Sequence, residues 1–229
     1  MTYSLITGVF ILIVIIYIYY IQFYTGHYPK IFLDRLIDDR YLKTGDMLIF
    51  KAYNNFNSVF LGSYYGHMGI VYIDPNDETQ TPMLFEANGI EFMPLLDHHN
   101  KNGIFFTPVK ERIQKYKGRV FVKSLNHPVC DLADLDFKEF ISYCLNNMKY
   151  DHRIIKSWLK KITGVSKCGK NTNCGELVFL SLIKLNLLPE YSYEQRPSFH
   201  HVSDMVKIKH LLNNKYNDPI EIVDHPFAE

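Results

Sequence analysis

With 229 residues, the chain is long enough for one globular domain and an appendage, and its 25 Lys and Arg against 24 Asp and Glu leave almost no net charge. Nucleic-acid binding shows itself as a basic excess or stripe, so that class is set aside. The four cysteines, Cys130, Cys144, Cys168 and Cys174, contain no Cys-x-x-Cys pair, and a chain of this size folds without disulfides.

From Thr2 to Tyr24 no side chain is charged, and Leu5 to Ile21 is nearly all Ile, Leu, Val, Phe and Tyr. About 20 helical residues at roughly 1.5 Å each cross a hydrocarbon core of about 30 Å. A buried core helix is rarely apolar on every face over such a length. A cleaved signal peptide would have a basic start, a shorter apolar run and a small-residue cleavage site. Residues 1–24 are therefore predicted to be an uncleaved transmembrane anchor in a lipid bilayer, with Tyr17, Tyr19, Tyr20, Phe23 and Tyr24 as an aromatic belt. No Lys or Arg precedes the span, whereas Lys30, Arg35, Arg40 and Lys43 follow it. That asymmetry predicts the large C-terminal domain on the cytoplasmic side.

Residues 25–44 read as a connector with a helical turn around Ile31–Arg40. Strand-like text follows at Asp46–Lys51, His67–Ile73, Met83–Ala87, Gly89–Pro94, Ile104–Val109 and Arg119–Ser124, with turn chemistry at Asp74-Pro75-Asn76-Asp77. From Ala133 the period changes. Leu135, Phe137, Phe140, Ile141, Cys144, Leu145 and Met148 recur at helical spacing, which predicts Cys144 as a small buried hydrophobe. Arg153–Ile162 and Cys174–Leu187 are further helices. Strands first and helices afterwards predict an α+β domain over residues 45–212, an antiparallel β-sheet packed on helices. Residues 213–229 read as a polar, peripheral tail with a short strand at Ile220–Val223.

Cys174 stands in Asn173-Cys174-Gly175-Glu176. Asn173 is a good N-cap, and Glu176 three residues on matches a capping box. Cys174 then lies in the first turn of a helix, where the positive end of the helix dipole favours a thiolate. Locally, a nucleophile and a buried structural cysteine fit equally well. A thiol nucleophile needs a base held by a third polar group. Of the ten histidines, His98-His99 and His200-His201 lie in polar, loop-like text, and His127 precedes a proline. His67 opens an otherwise apolar strand between Gly66 and Met68-Gly69. Zinc ligands come in closely spaced pairs, and no such pairing is present, so neither a metal nor another cofactor is predicted. Lys156, Lys160, Lys161, Lys167 and Lys170 read first as a solvated face, with anionic headgroups as a second possibility.

Five pieces in order, Gly45-Asp46-Met47-Leu48-Ile49-Phe50, Tyr65-Gly66-His67-Met68-Gly69-Ile70-Val71, Leu84-Phe85-Glu86-Ala87, Lys149-Tyr150-Asp151 and Asn173-Cys174-Gly175-Glu176-Leu177-Val178, resemble the successive motifs of the circularly permuted, NlpC-type papain-like superfamily. That group includes YiiX-like hydrolases, the lecithin:retinol acyltransferase branch and relatives from poxviruses and other large DNA viruses. The resemblance spans about residues 44–206. It implies Cys174 as nucleophile, His67 as general base and Glu86 as the group that orients the imidazole, with Glu91 in reserve. It also implies that Tyr150 supports the oxyanion, although in a chain with 17 Tyr a core aromatic fits as well. Asp46 is expected to fix a turn rather than to react. The resulting expectation is a membrane-anchored thiol hydrolase or acyltransferase acting on an acyl, lipid or peptide substrate. The alternative is a membrane-bound structural or interaction protein, such as one of a virion, with a weak or inert site.

Overall fold

The computed structural model describes residues 2–23, 27–52, 66–88, 103–150, 171–189 and 215–224. Helix α1 (Thr2–Phe23) is followed by β1 (Lys30–Phe32), α2 (Leu33–Asp38), β2 (Met47–Ala52), β3 (His67–Tyr72), β4 (Met83–Ala87) and β5 (Ile104–Pro108). Then come α3 (Val109–Gln114), β6 (Gly118–Lys123), α4 (Asp131–Asn147), β7 (Lys149–Tyr150), β8 (Asn171–Thr172), α5 (Cys174–Lys184) and β9 (Ile220–Val223). The strand expected at Gly89–Pro94 and the helix expected at Arg153–Ile162 lie outside the described residues.

Seven strands form one sheet in the order β1-β9-β6-β2-β3-β4-β5, and β7 and β8 make a separate parallel pair. The expected α+β architecture, a sheet packed against helices, is what the chain adopts. Every pairing in the large sheet is antiparallel except β1 with β9. Both faces of this sheet are covered, which explains why its central strands read as nearly continuous apolar runs. On one face Met47, Ile49, Met68, Ile70, Phe85 and Ala87 pack on Phe137, Ile141 and Cys144 of α4 and Leu177, Val178 and Leu182 of α5. On the other, Leu48, Phe50, Val71, Leu84, Val120 and Val122 pack on Leu33 and Leu36 of α2 and Val109 and Ile113 of α3. Cys144 is fully buried as expected, and burial pushes its thiol up to about 12.

Two segments are more integral than their sequence suggests. The polar C-terminal stretch supplies β9, which sits inside the sheet between β1 and β6 rather than at the periphery. Its Glu221 is held by both Nε and Nη2 of Arg119 on β6, at 2.6 and 2.7 Å. The connector supplies β1, whose three residues pair with β9 some 190 positions later.

Helix α1 is formed over 22 residues, and its described side chains, Ile6–Tyr17, are all exposed. Those side chains cover only about 18 Å of helix at roughly 1.5 Å per residue, short of the about 30 Å of a hydrocarbon core. Among the described residues, no helix is long and apolar enough to cross a membrane. The fold therefore does not itself support the expected transmembrane anchor. Tyr24 lies outside the described residues.

The turn into β2 is built around Asp46, fully buried. Its Oδ1 accepts the Leu125 N–H at 2.7 Å and its Oδ2 accepts the Lys43 N–H at 2.9 Å. Gly45 beside it has φ +94°, and a Cβ there would meet Leu125 Cδ1 at 2.5 Å, so only glycine fits. Burial raises the Asp46 carboxyl to about 6, against the opposing pull of the two N–H donors. Asp46 thus joins β2 to the end of β6, the structural part expected of it. Asp46→Ala leaves two donors unmatched, and unfolding by urea is expected to show a loss of about 2 kcal/mol. A loss below about 0.5 kcal/mol would contradict this account.

Candidate functional site

His67 is the first residue of β3, and Glu86 is the fourth residue of β4, the neighbouring strand. The antiparallel register sets Gly69 opposite Glu86. His67 and Gly69 lie two residues apart, so both His67 and Glu86 project to the face that carries α2 and α3. There His67 Nε2 donates to Glu86 Oε2 at 2.5 Å. The Glu86 side chain is fully buried and that of His67 only 13% exposed.

A carboxylate removed from water needs charged partners. Glu86 has a second one in Arg112 of α3, whose Nε donates to Oε1 at 2.6 Å and whose Nη2 donates to Oε2 at 3.3 Å. Burial works to raise the Glu86 carboxyl. The Arg112 guanidinium and the hydrogen-bonded His67 outweigh it and hold the group below the usual carboxylate range. The guanidinium stacks 4.6 Å from the Phe50 ring centroid and 5.3 Å from that of Tyr116.

Cys174 is the first residue of α5. Asn173 caps the helix, its side chain accepting the Glu176 N–H at 3.0 Å. This is the arrangement that the Asn-Cys-Gly-Glu pattern predicts. Glu176 is buried and belongs to the cap end of the helix. The Cys174 side chain lies near enough to His67 to influence its titration. With Nε2 taken by Glu86, Nδ1 is the ring nitrogen left for the thiol. Burial acts to lower the His67 value, but the Cys174 and Glu86 side chains and their negative charges push it up to about 9. At neutral pH the imidazole therefore holds its proton.

The structure thus brings His67 and Glu86 into a hydrogen-bonded pair, with the Cys174 side chain near enough to influence the imidazole. Tyr150 lies close in the chain's path: it pairs with Thr172, two residues before Cys174, through β7 and β8. Gly103, with φ +75°, makes room for it, since a Cβ on Gly103 would stand 2.6 Å from Tyr150 Cβ. Glu91, Cys168, the lysines from Lys156 to Lys170, and the histidine pairs 98–99 and 200–201 lie outside the described residues. Arg112 was not singled out by the sequence. It lies just beyond the strand text that ends at Val109, and a single Arg there carries no signal of burial. Among the described residues, no group of three or more His, Cys, Asp or Glu side chains is placed to hold a metal ion.

No family model matches the sequence, and comparison with curated proteins finds no match. Among solved structures, the chain is similar to a crystal structure described as metalloprotein yiiX from Escherichia coli O157:H7, DUF1105. The identity is 16%, the match covers 78% of this chain and 87% of that one, and the TM-score is 0.43. The reading of the site rests on its own geometry.

His67 titrates from 6.5 in the unfolded chain to about 9 in the fold. Its proton therefore contributes stability that is fully present below about pH 6.5 and is lost as pH rises through about 9. Glu86 has the opposite sign, its contribution being lost only as pH falls through its depressed value. Denaturant midpoints measured between pH 6 and 10 are expected to decline for the natural chain and to be flatter for His67→Gln. Parallel slopes for the two proteins would remove the paired-imidazolium description.

Proposed function

We propose that the chain is a thiol hydrolase or acyltransferase with Cys174 as nucleophile, His67 as its proton carrier and Glu86 as the orienting carboxylate. The observation that supports this reading is a histidine hydrogen-bonded to a buried carboxylate, with a helix-N-terminal cysteine beside it. This arrangement has the relations nucleophilic catalysis requires: nucleophile to base, and base to orienter.

In the proposed reaction the thiol proton already rests on His67 Nδ1, and the Cys174 thiolate attacks the carbonyl carbon of an amide, ester or thioester. The oxyanion that forms lies near the Cys174 backbone N–H, which in the first helical turn has no carbonyl partner within the helix. The Tyr150 hydroxyl is a second donor in this reading. Collapse of the tetrahedral adduct breaks the bond to the leaving N, O or S atom, which takes the proton from His67. The acyl group now forms a thioester with Cys174. Water or an acceptor then gives its proton to His67, attacks the thioester, and releases the thiolate. Glu86 stays ionised throughout and fixes which ring nitrogen faces the sulfur.

The reading includes a membrane location. Residues 2–24 carry no charge, helix α1 is formed over Thr2–Phe23, and its described apolar side chains are exposed. A bilayer is the medium that covers such a helix on all sides. Lipids, lipidated proteins or peptides at a membrane surface would then be the accessible substrates, with the domain on the cytoplasmic side. Two outcomes test the proposal. Iodoacetamide alkylation, read at the Cys174 peptide by mass spectrometry, is expected to be faster there than at exposed Cys130. It should fall by about 100-fold in His67→Ala, and Cys174→Ala should abolish turnover of acyl-thioester probes. Equal rates at Cys174 in the natural chain and in His67→Ala would sink the nucleophile assignment. Separately, the full-length protein is expected to float with liposomes on a density gradient and to resist carbonate extraction. A form lacking residues 2–24 should remain in the soluble fraction, and co-flotation of that form would overturn the anchor.

A further inference from the structure

Arg112 is the charged residue beside the site that the proposed reaction leaves unused, and its surroundings are unusual for a helix-docking residue. Helix α3 already docks on the sheet through Val109 and Ile113, both buried. Burying a guanidinium as well costs several kcal/mol unless its partner geometry is close to ideal. Here that geometry is present. Its Nε and Nη2 take both oxygens of Glu86, and Oε2 is shared with His67 Nε2. Two donors on different oxygens fix the plane of the carboxylate, and the shared oxygen fixes where the imidazole edge must lie. Phe50 reinforces both ends: Arg112 stacks on its ring at 4.6 Å, and the His67 ring lies 5.4 Å from it. Phe50 is also the β2 residue directly opposite His67 in the sheet.

We infer that Arg112 is a positioning residue of this site: its guanidinium locks Glu86 in the orientation and charge state that hold His67 against Cys174. The inference rests on the thiol reading for its meaning in catalysis, but its physical content concerns Glu86 and His67 alone. The charges in the line alternate, with Arg112 positive, Glu86 negative and His67 positive. Removing the first leaves a fully buried carboxylate facing one titrating partner. Glu86 would then share or take the imidazole's proton, and His67 would lose the anion that holds it. Lysine could replace the charge but not the fork. Among the described residues, the titratable groups facing His67 are Glu86 from β4 and Cys174 from α5. Arg112 from α3 acts through Glu86, and the neighbour from β2 is the apolar Phe50.

The test is an NMR titration of the His67 ring in the full-length protein, assigned with His67→Gln, run alongside alkylation of Cys174. Arg112→Met is expected to lower the His67 titration midpoint by about one pH unit or more and to move the pH profile of Cys174 alkylation with it. Arg112→Lys is expected to keep the midpoint within about half a unit, since it keeps the charge. A folded Arg112→Met protein with the natural midpoint would overturn the inference, and so would Arg112→Lys falling as far as Arg112→Met. If Arg112→Met does not fold, Arg112→Lys decides: a retained midpoint supports the inference, and a fall of about one unit overturns it. Failure of the thiol reading would look different. Cys174 in the natural chain would then alkylate no faster than Cys130, while the His67 titration still judged Arg112.

Discussion

The site depends on a carboxylate that cannot reach water. Glu86 is fully buried, and an ion in that position persists only when paired and hydrogen-bonded. Three elements meet at it: β4 carries Glu86, β3 brings His67, and α3 brings Arg112. Removing either partner leaves uncompensated charge in the interior, at a cost of about 3–5 kcal/mol. The same interaction that orders the imidazole therefore ties α3 to the middle of the sheet, and the site cannot be loosened without disturbing the fold around it.

The sequence reveals much of the sheet because both faces of its central strands are buried. Met83–Ala87 and Ile220–Val223 are found with the bounds the pattern predicts. The cap of α5 is equally legible, since Asn173 and Glu176 specify a helix start by local chemistry alone. What the sequence hides is set by long-range pairing. A three-residue strand such as β1 has no period to read, and it is a strand only because β9 lies beside it. The β9 segment itself reads as a polar tail because its Glu221 looks solvated, whereas Arg119, over 100 residues away, neutralises it within the sheet. Helix α3 follows Pro108 without a break, so its first residue, Val109, reads as the end of β5, and the rest is too short to show a helical period. Arg112 is hidden for the same reason. Burial of a charge is decided by partners that sequence order does not place together.

The candidate residues were legible in a different way. Cys174 carries a local signal in its capped helix, whereas His67 and Glu86 carry none that separates them from ordinary strand residues. They became candidates through the ordered motifs. The structure adds their hydrogen bond, the nearness of Cys174 to the same imidazole, and an arginine that the motifs do not include.

The position of His67 at the start of its strand has a geometric reason. By strand alternation, His67 and Glu86 project to the side of α2 and α3, where Phe50 and Arg112 meet them. Helix α5, with Cys174 at its head, packs on the opposite face. A side chain in the middle of β3 could not serve both, because the sheet itself would separate it from the cysteine. At the strand's first residue the imidazole bonds to Glu86 through Nε2 and leaves Nδ1 outside that pair. The arrangement also divides the labour of the two faces. The anion and its arginine stay on the face covered by α2 and α3, whereas Cys174 heads the helix on the other.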